Sequence, residues 1–387
     1  MGLLPAGLAL LAAAPGMPAY DPGLELRVFD RTCDLVARHY WNKARLGEAW
    51  QDRCDRLRPV ATAAPDRASF YAQLNHLLDG LGDSHLFAVD PVRVALDRAR
   101  DAGHAAEGFG FAFAPDAEGR WQVTQMREGS AAAEAGVRPG WTVMAVNGRP
   151  VDIDYQPSPS EQARFSFLRP DGAVTALTLS AEREAPLPSR RAVPLDHGFM
   201  LIGLDGFDPG DDRWLVRTLA DARPRGVVLD LRQNDGGDAD VIARVAGAFF
   251  AENRPLVDRI GGHDGVQRTR GAGPQSYLGP LAVLIGPESA SGAEALAALI
   301  DESKRGVTVG ARTAGALTGA SLYRLPDGGQ LSVSEFDIRT PNGRRLEGTG
   351  LPPLIPVIAT ATDRRNGADP VRARAIAWLL AHPGGAG

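Results

Sequence analysis

Ser291, in the stretch "ESASGAEA" between the apolar run "LAVLIG" and a helical segment, is a hydroxyl placed where it could attack a carbonyl. A residue that follows a strand and opens a helix stands at the carboxyl end of a sheet, where open α/β folds bind ligands. The N–H of Gly292 and the positive helix end would then lie beside the hydroxyl and stabilise an oxyanion. A serine at that position also serves as an ordinary helix cap, and Ser289 fits that role equally well. Free serine is a weak nucleophile, so the rest of the chain must supply a base. Only Lys43 and Lys304 could make a Ser–Lys pair. Lys304 lies about 20 Å along the helix that Ser291 would begin, at 1.5 Å rise per residue. Lys43 sits in a distant helical region. Histidine is the next candidate, and the chain holds seven.

The elements that must carry these residues show in the apolar pattern. Residues 24–90 read as helical, with Leu24, Val28, Leu35 and Val36, then Phe70, Leu74, Leu77 and Leu81, near a helical period. Residues 91–105 are polar and rich in Ala and Arg, which suggests a connector. From 106 to 182 the texture changes to short strand-like runs broken by glycine: "GFGFAF", "WQVTQM", "WTVMAVNG", "ARFSFLR" and "AVTALTLS". "REAPLPSRRAVPLD", with its three prolines, reads as a linker. Beyond 198 buried-strand runs alternate with helical spacing, the pattern of a largely parallel sheet with right-handed crossovers. "ASLYRL" and "GQLSVSEF" add a hairpin-like region.

Composition bounds the function. The 387 residues are 44% hydrophobic and 23% charged, as in an ordinary soluble protein with room for two or three domains. A net charge of −5 with dispersed arginines argues against a nucleic-acid partner. No apolar run reaches the roughly 18 residues that a membrane span needs. The start, "MGLLPAGLALLAAAPGMPAYDPG", resembles a secretory leader over residues 1–20 without a basic beginning, which implies a periplasmic or secreted protein, or a cytoplasmic one if the stretch is no signal. Cys33 and Cys54, the only cysteines, fall on neighbouring helices and could pair in an oxidising compartment or stay as two small buried side chains. No CxxC or Cys/His cluster is present, and the chemistry of Ser291 calls for no metal or cofactor.

Four segments, "LDLRQNDGGD", "GPESASGAE", "VGARTAGALTG" and "TPNGRRLEGTGLPP", occur in that order and resemble the catalytic domain of the C-terminal-processing (tail-specific) serine peptidases, including their tricorn-core and retinoid-binding-protein-like branch. "EGFGFAF" with "GSAAAEAGVRPGWTVMAVNGRPV" resembles the PDZ domain those proteins carry, although Trp141 replaces the usual Asp after Pro-Gly. The resemblance spans about residues 24–358. It implies an α/β fold, mixed with α+β character, of three parts: an N-terminal helical domain at 21–105, a PDZ-like β domain at 106–182 and a catalytic domain at 183–387 with a largely parallel sheet flanked by helices.

The resemblance also implies roles. The family's nucleophile falls on Ser291, three residues before Glu294. The lysine-using branch places its base where this chain has Ala316, which removes the Ser–Lys mechanism. The tricorn-like branch uses a Ser-His pair and a late glutamate, and these fall on Ser84 and His85 in "GDSHLF" and on Glu347 in "RLEGTG". His85 is then the base, with Ser84 and Glu347 holding its imidazole. Gly292 and either Gly236 or Gly237 would form the oxyanion hole. Gly108, Phe109, Gly110 and Phe111 resemble the loop whose N–H groups hold a peptide's terminal carboxylate. The expected activity is serine endopeptidase action on unfolded or C-terminal peptide segments. The competing expectations are a non-catalytic binding protein or a PDZ adaptor on the same scaffold. The intact Ser291, His85 and Glu347 favour the enzyme.

Overall fold

The computed structural model describes residues 20–47, 49–115, 120–151, 160–262, 264–358, 363 and 368–384. All but the last residue of the leader-like stretch 1–20 therefore lies outside the described residues. Two compact units divide the chain. The first takes Met1–Gly82, Leu86–Ala99 and Ala320–Ser334; the second takes Asp83–His85, Arg100–Gly319 and Glu335–Gly387.

Helices Pro22–His39, Ala49–Thr62 and Arg67–Asp79 build the first unit. Asp21 and Asp66 cap two of them, each carboxylate accepting a first-turn N–H, from Gly23 and from Ser69. Val28, Phe29, Leu35 and Val36 pack with Phe70, Leu74, Leu77 and Leu78, and Leu325, Leu331 and Val333 complete this core. A fifteen-residue segment from late in the sequence thus belongs with the helices. It carries a tight turn in which Leu325 N–H donates to Gly329 O and Gly328 has φ +99°. Around that turn strands Thr318–Arg324 and Gln330–Arg339 pair as the expected hairpin. Cys33 and Cys54 are joined as a disulfide between the first two helices named, with Cα atoms 6.4 Å apart.

Residues 91–105 are not a simple connector: Pro91–Asp101 is a helix. Its start carries the right signals. Asp90 accepts from the N–H groups of Val92 and Arg93, proline occupies the first position, and Arg93 pairs with Asp97 one turn on.

The second unit centres on a six-stranded sheet. Its order is Ile355–Pro356, Val307–Gly310, Leu281–Ile285, Gly226–Asp230, Phe199–Leu204 and Arg190–Leu195. Adjacent strands run parallel except for the last pair. That last strand lies inside the segment read as a linker. Its Pro194 cannot donate to a ladder, and an outermost strand is where this is tolerated. Alternation splits the central strand's side chains between two cores. Leu281, Val283 and Ile285 pack with helices Asp211–Ala222, Ala239–Gly247 and Gly292–Glu302, while Ala282 and Leu284 pack with Val371, Ala375 and Leu379 of Pro370–Ala381. Burial on both faces is why "LAVLI" reads as a continuous apolar run.

Residues 106–182 add a five-stranded antiparallel sheet in sequence order: Phe111–Pro115, Trp121–Met126, Thr142–Val146, Gln162–Leu168 and Val174–Ser180. Phe109, Val123, Val143, Phe165, Phe167 and Leu179 fill its core. Trp141 packs edge-on against Phe167, and the turn around it keeps its hydrogen bonds.

Candidate active site

Ser291 ends the loop between strand Leu281–Ile285 and helix Gly292–Glu302. The loop is pinned from below. Ser289, wholly buried, accepts the Gly286 N–H and donates to Leu231 O, so it ties two strand ends together and does not cap the helix. Ala290 N–H donates to Asn234 O. Ser291 itself takes φ +52°, ψ −114°, a conformation that L side chains rarely adopt. Such strain persists only where the surroundings enforce it, and it clusters at functional sites. A Cβ added to Gly292 would lie 2.3 Å from Ile242 Cδ1, so a larger residue there would have to displace that side chain. Its N–H belongs to the first turn of the helix, where no intrahelical acceptor exists.

Glu294, three residues on, is the buried hub of this loop. Its carboxylate accepts from the N–H groups of Ser291, Gly315 and Ala316 and from the Thr313 hydroxyl. Burial pushes the Glu294 carboxyl up, and the four donors oppose that shift. The spacing Ser-x-x-Glu at a helix start is the capping-box signature, so this partner was open to a reading of the sequence.

The "NDGG" turn closes on Ser291 from the neighbouring strand. A Cβ on Gly236 would meet Ser291 Cβ at 2.7 Å, its Oγ at 3.1 Å and Gly292 N at 3.2 Å. Only glycine permits that approach. The Gly236 N–H donates to Asn234 Oδ1 at 2.9 Å. Gly237 is exposed, and a Cβ there would strike Phe207 O at 2.5 Å.

His85 arrives on the tripeptide Asp83–His85, which clusters with the second unit. Ser84 Oγ donates to Glu347 Oε2 at 2.9 Å and lies 2.9 Å from His85 Nδ1. A hydroxyl has one hydrogen. Spending it on the carboxylate leaves Ser84 Oγ as the acceptor for Nδ1–H, which puts the free lone pair of the imidazole on Nε2. Glu347, 5% exposed, also accepts the N–H groups of Ser84 and Leu317. Asp83 accepts the His85 N–H and the Thr318 hydroxyl, which fixes the turn that presents the ring. Burial pulls the His85 imidazole below its ordinary value of 6.5, against the charges of Glu347 and Asp83, which act to raise it.

One peptide unit joins the two halves. Ala316 O accepts the Ser291 N–H at 2.8 Å, and the next N–H, that of Leu317, donates to Glu347 at 2.7 Å. Residue 316, read as the lysine position of the sister branch, therefore does stand against Ser291 through its backbone. Thus Ser291, His85, Ser84, Glu347, Gly292 and Gly236 gather within one unit, with Gly237 beside them. Such an arrangement offers a hydroxyl, an imidazole oriented by a carboxylate, and helix-start N–H donors, the components of acyl transfer.

The strand-bearing region holds the other candidates. Gly108 pairs with Glu182, Phe109 is buried in that region's core, Gly110 has φ +81° and its carbonyl accepts the Arg127 N–H, and Phe111 opens the first strand of the sheet. Glu184, ion-paired with Arg127, lies along this loop, with carboxylate oxygens 3.4 and 3.6 Å from where Cβ atoms would sit on Gly110 and Gly108.

Residues 201–357 match the family model of Peptidase family S41, and that span holds the four parallel strands from Gly226–Asp230 to Ile355–Pro356, Ser291 and Glu347. Over that span the chain is similar to peptidase family S41. That match, with the processing-peptidase relatives, indicates a serine peptidase. It is 26% identical over 336 residues to carboxyl-terminal-processing peptidase 1, chloroplastic, of Arabidopsis thaliana, covering 81% of this chain and 67% of that protein. It is also 26% identical over 405 residues to tricorn protease homolog 1 of Streptomyces coelicolor, covering 93% of this chain but 36% of the relative. The chain thus spans about two thirds of the first relative and about a third of the second. Among solved structures, a photosystem II D1 C-terminal processing protease shares the fold at a TM-score of 0.61 with 22% identity, covering 87% of this chain and 95% of that one.

Proposed function

We propose that this S41-like peptidase cleaves extended or unfolded peptide segments through an acyl-enzyme formed on Ser291, with His85 as the base. The observation that carries the reading is the linkage of Glu347, Ser84 and His85 Nδ1, tied through the 316–317 peptide to the Ser291 N–H. Ser291 Oγ attacks the scissile carbonyl carbon while its proton passes to His85 Nε2. The carbonyl oxygen becomes the oxyanion, held by the Gly292 and Gly237 N–H groups. His85 then protonates the leaving amine as the C–N bond breaks. Water, deprotonated by the same nitrogen, attacks the acyl-enzyme and releases Ser291. Of the two glycines Gly237 is the donor, because the Gly236 N–H is already given to Asn234.

Residues 106–182 serve this reading as a PDZ-like peptide holder. Strand Phe111–Pro115 is one of the two outer strands of their sheet, to which an extended peptide can add. The Cys33–Cys54 disulfide and the leader-like start favour an exported protein. No helix among the described residues is long and apolar enough to cross a membrane.

The test is a fluorophosphonate probe together with a panel of unstructured peptides read by mass spectrometry. The intact protein should label and cleave, and Ser291→Ala should do neither while melting as a folded protein. Labelling that persists in Ser291→Ala would place the nucleophile elsewhere. Equal binding of free and C-terminally amidated peptides would show that no terminal carboxylate is held at Gly108–Phe111.

A further inference from the structure

We propose that Asn234 is a positioning residue for the oxyanion site, and that its carboxamide selects which glycine N–H is presented to the substrate. The proposal rests on the reading of Ser291 as the nucleophile. Asn234 is 0% exposed, and every polar group of its side chain is used. Nδ2 donates to Leu204 O at 3.1 Å and to Gly206 O at 3.2 Å, while Oδ1 accepts the Gly236 N–H at 2.9 Å. Two carbonyl oxygens on one side and an N–H on the other leave a single orientation for the amide. Its backbone is held as well, with N–H donating to Leu231 O and the carbonyl accepting the Ala290 N–H from the loop that carries Ser291.

The consequence falls on the next two residues. Phe207 N–H donates to Gly236 O at 2.7 Å, and Asp238 N–H donates to Phe207 O at 3.1 Å. In a parallel bridge of that kind, the residue between the two contacts turns its own N–H and carbonyl away from the partner. Gly237 is that residue. Gly236 meanwhile lies against Ser291 and Gly292, with its N–H withdrawn into the protein by Asn234. Two adjacent glycines have the widest choice of backbone conformations of any pair, so a donor set built on them needs an external lock. The carboxamide bonds both to the strand end at 204–206 and to the glycine turn, which holds them in one register.

The experiment uses the full chain carrying Asn234→Ala or Asn234→Asp, with fluorophosphonate labelling and peptide cleavage followed against pH. A protonated Asp side chain mimics the amide: one oxygen accepts the Gly236 N–H and the O–H donates to a carbonyl. Ionised, it would set a carboxylate against Leu204 O and Gly206 O, and burial makes that form costly. For Asn234→Asp, the ratio of variant to wild-type labelling rate should be near one at about pH 5 and fall at least about tenfold by about pH 9, as its carboxyl titrates. Asn234→Ala should lose about 100-fold in kcat at every pH, with KM changed less than about threefold, the pattern of a lost oxyanion donor. A ratio for Asn234→Asp that is constant across pH overturns the proposal, as does an Asn234→Ala enzyme whose loss lies in KM. If the alanine variant fails to fold, the pH course of the aspartate variant decides. Failure of the underlying reading is distinct, since Ser291→Ala would then still label.

Discussion

Glu347 is joined to His85 through the hydroxyl of Ser84, which stands 2.9 Å from the carboxylate and 2.9 Å from Nδ1. Removing that hydroxyl leaves Glu347 its bonds from the Ser84 and Leu317 N–H groups, so the carboxylate stays in place while the imidazole loses its guide. Ser84→Ala should lower kcat/KM by about 10- to 100-fold, against roughly 10,000-fold for His85→Ala. Because the relay works as a unit, Ser84→Ala combined with Glu347→Gln should cost little more than the worse single change. Steady-state cleavage of one peptide by the four enzymes checks this, and full additivity would refute a shared pathway.

The pH profile follows from the environment of His85. Burial favours the neutral ring and holds its folded value below 6.5, and the neutral ring is the form that the proposed mechanism uses as base. Activity should therefore rise with pH through a midpoint below 6.5 and be at its plateau by neutrality. Glu347→Gln removes a charge that acts to raise that value, so the acid limb should move to lower pH even as the rate drops. Stability shares the sign: between the folded value and 6.5 the unfolded chain binds the proton more readily, so folding gains as pH rises through that window. A limb that moves to higher pH in Glu347→Gln would contradict this.

At Ser291 the backbone conformation and the side chain make opposing demands. With φ +52° and ψ −114°, the position suits glycine, and strain of this kind costs about 1–3 kcal/mol. Ser291→Gly should abolish labelling yet raise stability by about 1 kcal/mol, read as a shift of the urea midpoint at unchanged slope. A destabilised glycine variant would mean that the serine conformation is relaxed.

The disulfide closes a loop between residues 21 apart in sequence. Losing such a constraint costs about 3 kcal/mol by the loop-entropy estimate. Cys33→Ser with Cys54→Ser, or the reduced protein, should unfold at lower urea than the oxidised protein. Equal midpoints would leave the bond without a stabilising part.

How much of this was legible in the sequence depends on the range of the interaction. Strands such as "LAVLIG" and "GVVLDL" were readable because burial on both faces writes a local signal. Ser291, His85, Ser84 and Glu347 could be singled out because they sit in short ordered motifs, and the structure links Ser84, His85 and Glu347 by hydrogen bonds. Helix Pro91–Asp101 was missed because its cap and ion pair, rather than an apolar stripe, mark it. Strand Arg190–Leu195 was missed because proline signals a linker until an edge position is known. Helical spacing alone does not set which faces of two helices meet, so the pairing of Cys33 with Cys54 stayed open. Asn234 drew no attention because its partners at 204–206 are distant in sequence, and the capping-box spacing of Glu294 did not reveal its further bonds to 313–316. Hydrogen bonds across such gaps leave no period to detect.

Glu347 lies late in the chain, and that position has a consequence during synthesis. A ribosome releases Ser84, His85 and Ser291 well before it reaches residue 347, and the helix Pro370–Ala381 that covers one sheet face follows later still. Until then the imidazole lacks the carboxylate that orients it, and Leu317 lacks its acceptor. A peptidase that attacked unfolded segments, as proposed above, would be surrounded by its own unfolded segments while it is being made. On the proposed roles, an orienting group that follows Ser84, His85 and Ser291 in chain order would keep the growing chain idle until residue 347 has emerged.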